Sequence, residues 1–480
     1  MAIESNLKTP GVYINEISLF PPSVAQVETA IPAFIGYTQK DDTAGIPTRV
    51  VSLSEYEALF GTATPQEIVL KVTDATTSPV KIEFPVIPPS TTEKKEPTLK
   101  SFFYYSIQHF FINGGGPCYI VSAGADTSDP DSTQLTDALK KLESYDEPTL
   151  IVIPDAVKLS DALAYALMNE ALSQCTKLQD RFTIIDVKSG SDTQKLDNDG
   201  NPVVDGGGNP VLLSPVESFR QAINGDSDKA KYGAAYYPFL KSTLSYNFSD
   251  DTKIELEGSP ANTPLSDLKT TQNDLYNKIR AALNAIPIIL PPSGAVAGLY
   301  AAVDSSRGVW KAPANVQVTA VTGPTIIITD EAQQDLNVDV IAGKSVNAIR
   351  SFTGKGTLVW GARTLAGNDL EWRYVPVRRL FIMVEESIKK ASSRFVFEPN
   401  DANTWIKVRA MIENYLTLLW RDGALAGIKA EHAFFVKVGL GQTMTAQDIL
   451  DGKIIVEIGM AAVRPAEFII LRFMHKMQES

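Results

Sequence analysis

The chain of 480 residues contains a four-residue match to the end of a phosphate-binding loop, Ala342-Gly343-Lys344-Ser345. A P-loop needs another glycine five positions before the glycine of its Gly-Lys-Ser triplet, and Val338 stands there. Without that glycine the backbone cannot readily turn its amides around a phosphate. The sequence therefore predicts a solvated turn here rather than a nucleotide site.

Other residue types that catalyse reactions or bind metals are few and scattered. His109, His432 and His475 show neither HExxH spacing nor a neighbouring cysteine pair. Cys118 and Cys175 lie far apart, which disfavours a zinc site or a disulfide framework. No G-x-S-x-G sequence occurs. The sequence thus predicts no catalytic residue, no cofactor and no metal, and it predicts that His109 is buried in an aromatic helix.

Glu385 and Glu386 are paired carboxylates, but Lys389 and Lys390 follow four residues later. Such spacing forms ion pairs along one helix surface, each contributing roughly 0.3 kcal/mol. We therefore predict a solvated or partner-facing helix surface instead of an acid–base pair.

A cluster of arginines lies close to two tryptophans and a tyrosine. Arginine stacks on aromatic rings, binds carboxylates with two parallel hydrogen bonds and is enriched at protein interfaces. These side chains are interface candidates, and the alternative left open is that they stabilise strands inside one subunit. The formal net charge of −12 disfavours a nucleic-acid groove. The arginines are Arg363, Arg373, Arg378 and Arg379.

The elements that would position these residues alternate between strand and helix over residues 100–240. Apolar runs at 118–123, 149–153 and 182–187 predict strands, and the clearest helix is 160–178 with Ser160 as its N-cap. Such alternation predicts a parallel sheet covered by helices. No G-x-G-x-x-G follows residue 123, which disfavours a dinucleotide site.

Turn formers and proline interrupt this pattern at 65–98 and 190–213, which predicts two insertions. Residues 316–329 predict a hairpin. In the C-terminal part, helices are predicted at 377–391 and 403–421, and strands at 453–460 and 467–473.

Six stretches carry a resemblance to a known family. Residues 354–379 read GKGTLVWGARTLAGNDLEWRYVPVRR. TPGVYINE, IPAFIGY and RGVWKAPAN precede them and FEPND and RPAEFIILRF follow them, so that the six stretches span nearly the whole chain. Together they closely resemble the sheath subunits of contractile phage tails and of related bacterial injection particles.

The resemblance implies an α/β plus α+β multidomain fold. It predicts an N-terminal arm over residues 1–22 and a central parallel α/β domain over 23–345 with the two insertions. It also predicts a C-terminal α+β domain over 346–480 that faces an inner tube. N- and C-terminal arms exchanged between subunits would complete the C-terminal domain.

The resemblance also implies which residues link subunits. One group of strand-forming residues lies in each arm, and the tube-facing candidates are the four arginines, the Glu/Lys helix surface and the segment 443–451. The linking residues are Gly11, Val12, Tyr13, Ile14, Glu16 and Ile17, and Phe468, Ile469, Ile470, Leu471 and Phe473.

The function implied is that of a structural subunit, not an enzyme. It would polymerise helically around the inner tube and contract to drive that tube through a target envelope. Expected partners are other copies of the chain, the inner tube protein, and baseplate and terminal cap proteins, with sister sheath proteins left open. The alternatives are a static tube or capsid-like protein and an unrecognised α/β enzyme.

The N-terminal residues show neither the basic segment nor the apolar core of a secretory signal. No apolar run reaches the ~18 residues that cross a membrane. We therefore expect assembly in the bacterial cytoplasm, without membrane insertion, as part of a phage tail or of a released extracellular particle.

Overall fold

The computed structural model describes residues 23–41, 45–65, 69–74, 81–83, 99–191, 215–223, 226–249, 253–256, 263–468 and 470. The chain divides into two compact units. The larger unit comprises residues 28–383 and 464–480, and the smaller unit comprises residues 1–27 and 384–463.

The strands of the described residues are β1 (Pro32–Thr38), β2 (Thr48–Val50), β3 (Val69–Asp74), β4 (Lys81–Glu83), β5 (Cys118–Ala125), β6 (Leu150–Val152), β7 (Phe182–Asp186), β8 (Gly233–Tyr237), β9 (Leu240–Ser242), β10 (Lys253–Leu256), β11 (Thr263–Pro264), β12 (Ile288–Leu290), β13 (Val316–Gln317), β14 (Val321–Pro324), β15 (Val346–Phe352), β16 (Gly356–Val359), β17 (Phe434–Lys437) and β18 (Glu457–Met460).

The helices are α1 (Leu53–Phe60), α2 (Phe103–Ile112), α3 (Ser132–Lys141), α4 (Asp161–Leu178), α5 (Pro215–Ala222), α6 (Ser227–Ala230), α7 (Leu265–Thr271), α8 (Asn273–Asn284), α9 (Ser293–Arg307), α10 (Asp330–Asn337), α11 (Val375–Ser392), α12 (Ala402–Arg421), α13 (Ala430–Ala433) and α14 (Ala446–Leu450). The boundary between the two units falls within α11.

A nine-stranded sheet forms the centre of the larger unit, in the order β13-β16-β15-β8-β7-β6-β1-β5-β2. The six strands from β15 to β5 in this order pair in parallel, so the predicted parallel sheet is confirmed. Every residue of β1, β7 and β8 is buried, as expected for parallel strands covered on both faces. Their side chains belong to one hydrophobic core.

Buried carboxylates hold helix N-termini at the ends of two parallel strands. Asp155 follows β6 and accepts hydrogen bonds from the amides of Phe102 and Tyr37 at 2.6 and 3.3 Å and from the Ser101 hydroxyl at 2.7 Å. Asp186, at the end of β7, accepts from the amide of Ser293 at 2.8 Å. Burial raises the pKa of Asp155 to about 6 and that of Asp186 to about 7.

Asp155 lies where a doubly wound sheet usually binds its ligand. Strand β1 is flanked by β5 and β6, so the order of connections reverses here, and such switch points form ligand crevices. Because its carboxylate caps α2, the helix N-terminus that could receive a phosphate is already occupied by the protein itself.

The tetrapeptide 342–345 is not the solvated turn that the sequence predicts. Lys344 and Ser345 are buried. The Lys344 ammonium donates to the carbonyl oxygens of Arg220 and Ile223 at the end of α5, which favours a cation. The carboxylate of Asp339 accepts the backbone amides of this turn that a phosphate would otherwise need.

The predicted hairpin over 316–329 is wrong. Strand β13 pairs with β16, whereas β14 pairs with β9 in a separate three-stranded sheet. Strand β15 lies beside β8 in the nine-stranded sheet, and both belong to the larger unit. The predicted domain boundary at 345/346 stays a prediction.

The predicted insertion over 65–98 contains two short antiparallel strands, β3 and β4. They belong to a four-stranded sheet with β10 and β11. The second predicted insertion lies outside the described residues from 192 onward. Within the described part of the chain, no helix has the length and apolar character that crossing a bilayer requires.

Helix α12 of the smaller unit confirms the helix predicted at 403–421. It begins at the N-cap Asp401, whose carboxylate accepts the Thr404 amide at 2.9 Å. Its buried side includes Val408, Ile412 and Leu419. Strand β17 packs against this helix. The strand predicted at 453–460 is shorter than expected and forms β18 alone.

Candidate assembly surface

Strands β17 and β18 form an antiparallel pair, here called the ladder, with Phe434 opposite Met460 and Lys437 opposite Glu457. Among the described residues, no third strand pairs with either edge of it. A two-stranded pair is marginal alone, and an unpaired edge presents backbone groups to another strand. The ladder can therefore accept a strand on either side.

The alternation of an antiparallel pair identifies the outward backbone groups. The Ala461 amide donates to the Ala433 carbonyl at 2.8 Å. In this register every second pair exchanges hydrogen bonds, so Val436 and Ile458, opposite each other, direct their amides and carbonyls away from the partner strand. These groups are the ones that an added strand would bind.

The ladder is held in place by packing. The Val436 side chain is buried, and the Phe435 ring covers Gly459 so closely that a Cβ there would lie 2.2 Å from a ring carbon. Phe435 itself remains 49% exposed. The surface beside the open edge is therefore both rigid and apolar.

Sequence reasoning missed β17. The run Phe434-Phe435-Val436-Lys437 is aromatic and β-branched, which is a strand signal, but it follows the short helix α13 directly. A search for short strands beside the predicted strand 453–460 could have found it.

The predicted linking residues of the N-terminal arm, Gly11 to Ile17, lie outside the described residues, as do Ile469, Leu471 and Phe473. Phe468 and Ile470 are described and lie in no regular element. They are 72% and 79% exposed. Two large apolar side chains at alternate positions are thus left uncovered, as in a strand that lacks its sheet.

A buried ion pair fixes the chain just before this segment. The Arg363 guanidinium binds Glu467 through two contacts, Nε to Oε1 at 2.9 Å and Nη2 to Oε2 at 2.5 Å. The Tyr374 hydroxyl donates to the same carboxylate at 3.3 Å. Arg363 is 4% exposed, so Glu467 is a fixed root for the residues that follow.

A second buried arginine fixes the chain before β1. Arg379 binds Asp304 at 2.6 and 3.0 Å and donates to the Thr29 carbonyl at 2.9 Å. The Thr29 hydroxyl also donates to Asp304 at 2.6 Å. Residue 29 is thereby tied to α9 and α11 of the larger unit.

Comparisons with known proteins identify the family of this chain. Residues 222–365 match the family model of the phage tail sheath protein central domain, and residues 368–475 match that of the phage tail sheath C-terminal domain. The helical sheath of the anti-feeding prophage in its contracted state is 31% identical, with a TM-score of 0.62 over 98% of this chain and 100% of that chain. This chain belongs to the phage tail sheath family.

Further relatives agree. The contracted PVC sheath of an extracellular contractile injection system is 31% identical, with a TM-score of 0.62 over 98% of both chains. The tail sheath protein of Burkholderia phage BcepMu is 32% identical over 29% of this sheath chain and 30% of its own length. The chain thus matches less than a third of that curated relative, although it spans the injection-system sheaths almost completely.

Three of the four arginines predicted at an interface are buried inside this sheath chain. Arg363 and Arg379 form the ion pairs above, and the Arg378 guanidinium lies 4.5 Å from the ring centre of Trp372. Arg373 is half-buried and donates to the Asp369 carbonyl at 3.2 Å. Their burial favours the alternative in which arginines stabilise one subunit.

The Glu/Lys surface of α11 differs in detail from its prediction. Glu386 is nearly buried and binds both Lys389, at 2.9 Å, and Lys390, at 3.6 Å. Glu385, Lys389 and Lys390 are exposed. Part of this helix surface is thus available to a partner, and its tube-facing role stays a prediction.

Proposed function

We propose that this protein is a subunit of a contractile sheath that polymerises helically around an inner tube. On contraction it drives that tube through a target envelope. The observation that carries the proposal is the ladder with two open edges, in a chain that leaves Phe468 and Ile470 exposed. Family membership and the contracted sheaths among its relatives support it.

Each subunit donates strands to its neighbours. The N-terminal donor is the segment 11–17 and the C-terminal donor is 468–473, and the acceptor is the ladder of another copy. The Arg379–Asp304 pair holds the chain where the N-terminal arm joins it, and the Arg363–Glu467 pair holds it where the C-terminal arm begins. These two fixed points support arms that move as the residues before 29 and after 467.

Strand links persist through contraction. A donated strand of about six residues adds roughly five ladder hydrogen bonds, at ~1 kcal/mol net each, and buries apolar side chains as well. An exposed ion pair contributes only ~0–1 kcal/mol. We therefore infer that the strand links act as hinges that stay intact during contraction, and that the polar contacts between subunits break and re-form with new partners.

The work of contraction comes from the better-packed contracted lattice, summed over many subunits, and needs no catalytic site in this chain. The domain assignment stays as predicted: an arm over 1–22, a central domain over 23–345, and a tube-facing domain over 346–480. Segment 443–451 and the exposed surface of α11 are its tube contacts.

The partners that we infer are other copies of the chain, the inner tube protein, and baseplate and terminal cap proteins. A baseplate structure of the anti-feeding prophage, 33% identical over 98% of this chain and with a TM-score of 0.62, supports the baseplate contact. The particle assembles in the bacterial cytoplasm and serves as a phage tail or a released extracellular particle.

Negative-stain microscopy of the purified full chain, with and without its inner tube protein, tests the proposal. We expect wide hollow cylinders from the chain alone and longer, narrower ones around the tube, because the sheath stores two lattice states. One identical lattice in both samples would favour a static tube. A discrete monomer under all conditions would contradict the proposal.

A further inference from the structure

An exposed apolar patch lies at the C-terminal end of α10, in the larger unit. Val340 and Ile341 are 87% and 95% exposed, Val338 is 44% exposed, and Leu370 in the neighbouring loop is 72% exposed. Single exposed apolar side chains are ordinary, but a concentrated group of large ones indicates an interaction site. We call these four residues the valine–isoleucine patch.

The patch is built rigidly rather than left loose. The Asp339 carboxylate accepts the amides of Ile341 and Lys344 at 3.0 and 3.1 Å, and it lies 3.5 Å from the Arg220 guanidinium. The Asn368 side chain donates to the Asp339 carbonyl at 3.0 Å and joins the two loops. With Asp339 turned inward to these partners, the side chains on either side of it are held outward. The surface is therefore preformed for binding.

The patch lies beside the root of the C-terminal arm. The Arg363 guanidinium that binds Glu467 also donates, through Nη1, to the Asn337 carbonyl at 3.1 Å. Val338 is the next residue after Asn337. Phe468 and Ile470 extend from the same root and are exposed as well.

We propose that the valine–isoleucine patch docks a second copy of this chain, namely the 384–463 part whose ladder accepts the C-terminal arm. This inference rests on the strand donation proposed above. An extended strand advances ~3.3 Å per residue, so a donated strand of six residues after Glu467 would span about 20 Å. The accepting ladder must therefore lie within about 20 Å of Glu467. Because the Arg363 guanidinium binds both Glu467 and the Asn337 carbonyl, the patch that begins at Val338 lies close to the same ladder.

The accepting unit has matching chemistry. Phe435 leaves an exposed apolar ring beside the ladder edge, and we expect this ring to meet the patch when the arm is inserted. The patch and the arm then form two parts of one interface between the same two copies. The arm supplies backbone hydrogen bonds, and the patch fixes the angle at which the neighbour sits.

A photo-crosslinking amino acid in place of Ile341, in full-length sheaths assembled with the inner tube protein, identifies the occupant. Mixing isotope-labelled and unlabelled chains separates links between copies from links within one copy. We expect links between copies to peptides from 384–463. Links to the inner tube protein, to baseplate components or only within one chain would overturn the inference.

Ile341→Asp and its control Ile327→Asp provide a second test. Ile327 is 88% exposed and precedes α10, whereas the patch follows that helix. Both variants therefore replace a highly exposed isoleucine by a charged residue. We expect Ile341→Asp to keep the monomer's Tm and to raise the critical concentration for assembly at least tenfold, with Ile327→Asp unchanged. Equal assembly by both variants would refute the patch.

Truncation after Glu467 distinguishes this inference from strand donation. If the truncated chain assembles normally, strand donation by the C-terminal arm fails, and the patch inference fails with it. If the truncated chain does not assemble while Ile341→Asp assembles like wild type, donation stands and the patch inference alone fails.

Discussion

The nine-stranded sheet and the two-stranded ladder treat their strand edges in opposite ways. In the sheet, every residue of β1, β6, β7 and β8 is buried, and the short antiparallel strands β2 and β13 close the two edges. In the ladder, both edges are unpaired within the described residues, while the side chain of Val436 is buried.

This difference separates stability from assembly. Short edge strands protect a sheet from pairing with another chain, and a fixed open edge invites such pairing. We infer that the buried core of the nine-stranded sheet carries the free energy of folding, and that the ladder, the donated arms and the exposed patch carry the contacts that build the polymer. Variants in the buried core should therefore change stability, and variants in the ladder, the arms or the patch should change assembly.

Deleting residues 1–20 should have the largest effect on assembly. The ladder of each copy loses a donated strand, so we expect sedimentable sheaths to disappear while the Tm of the monomer stays within a few degrees of wild type. Sedimentation, microscopy and thermal unfolding measure the two properties. Normal tubes from the truncated chain would break the proposed division of roles.

Arg379→Met should have the largest effect on the stability of the larger unit. It leaves the buried carboxylate of Asp304 without its cation, and breaking such a pair costs about 3–5 kcal/mol. Urea unfolding followed by circular dichroism measures the change. The control is Lys177→Met, which breaks the exposed Lys177–Glu143 pair and should cost about 0–1 kcal/mol. Equal costs would contradict the ion-pair argument.

His109 should make the larger unit sensitive to acid. Burial lowers the pKa of this histidine to about 4, whereas the unfolded chain titrates near 6.5. Because the unfolded chain then binds the proton first, this contribution to the free energy of unfolding is intact above pH 6.5 and is lost as the pH falls to 4. The shift corresponds to about 3 kcal/mol.

His109→Gln isolates that effect. In the wild type, His109 Nε2 lies 3.0 Å from the Thr319 carbonyl, and the side-chain amide of the glutamine can donate to the same carbonyl without titrating. Asp155 and Asp186 act in the opposite direction, because their raised pKa values favour the folded state as the pH falls. Subtracting the two urea-unfolding series, from pH 7 to pH 4, cancels these carboxyl groups. A flat difference would refute the role of His109.

Gln179→Gly should have the smallest effect and a stabilising sign. Gln179 ends α4 in the left-handed region, with φ of 61°, a conformation that costs a side-chain-bearing residue about 1–2 kcal/mol. After the extra entropy of glycine in the unfolded chain, a gain of roughly 0.5–1 kcal/mol remains. Glu170→Gly, inside the same helix, should instead lose about 1 kcal/mol. The same sign for both variants in thermal unfolding would contradict this account.

The sequence predicted elements whose signals are local. The strands β5, β6 and β7 are compact apolar runs, and α12 has a regular apolar face, so periodicity was sufficient for them. Periodicity failed where the environment of a residue depends on a partner that is distant in the sequence. Lys344 is buried because the end of α5, 121 to 124 residues earlier, supplies its carbonyls.

The arginines illustrate the same limit for the candidate site. Sequence chemistry identified Arg363 and Arg379 as residues that bind carboxylates, but the carboxylates are 104 and 75 residues away in the same chain. Composition and spacing cannot tell such a partner from one on another subunit. The ladder was half predicted, since β18 has the clear alternation and β17 follows a helix without an intervening turn signal.

Hydrogen–deuterium exchange of the monomer and of the assembled sheath tests the central claim most directly. The outward amides of Val436 and Ile458 should exchange quickly in the monomer and become protected in the sheath, because a donated strand binds them. Peptides from β1 and β5 should be protected in both samples and serve as the internal control. Equally fast exchange of the ladder in monomer and sheath would contradict the claim that its edges accept strands from another copy.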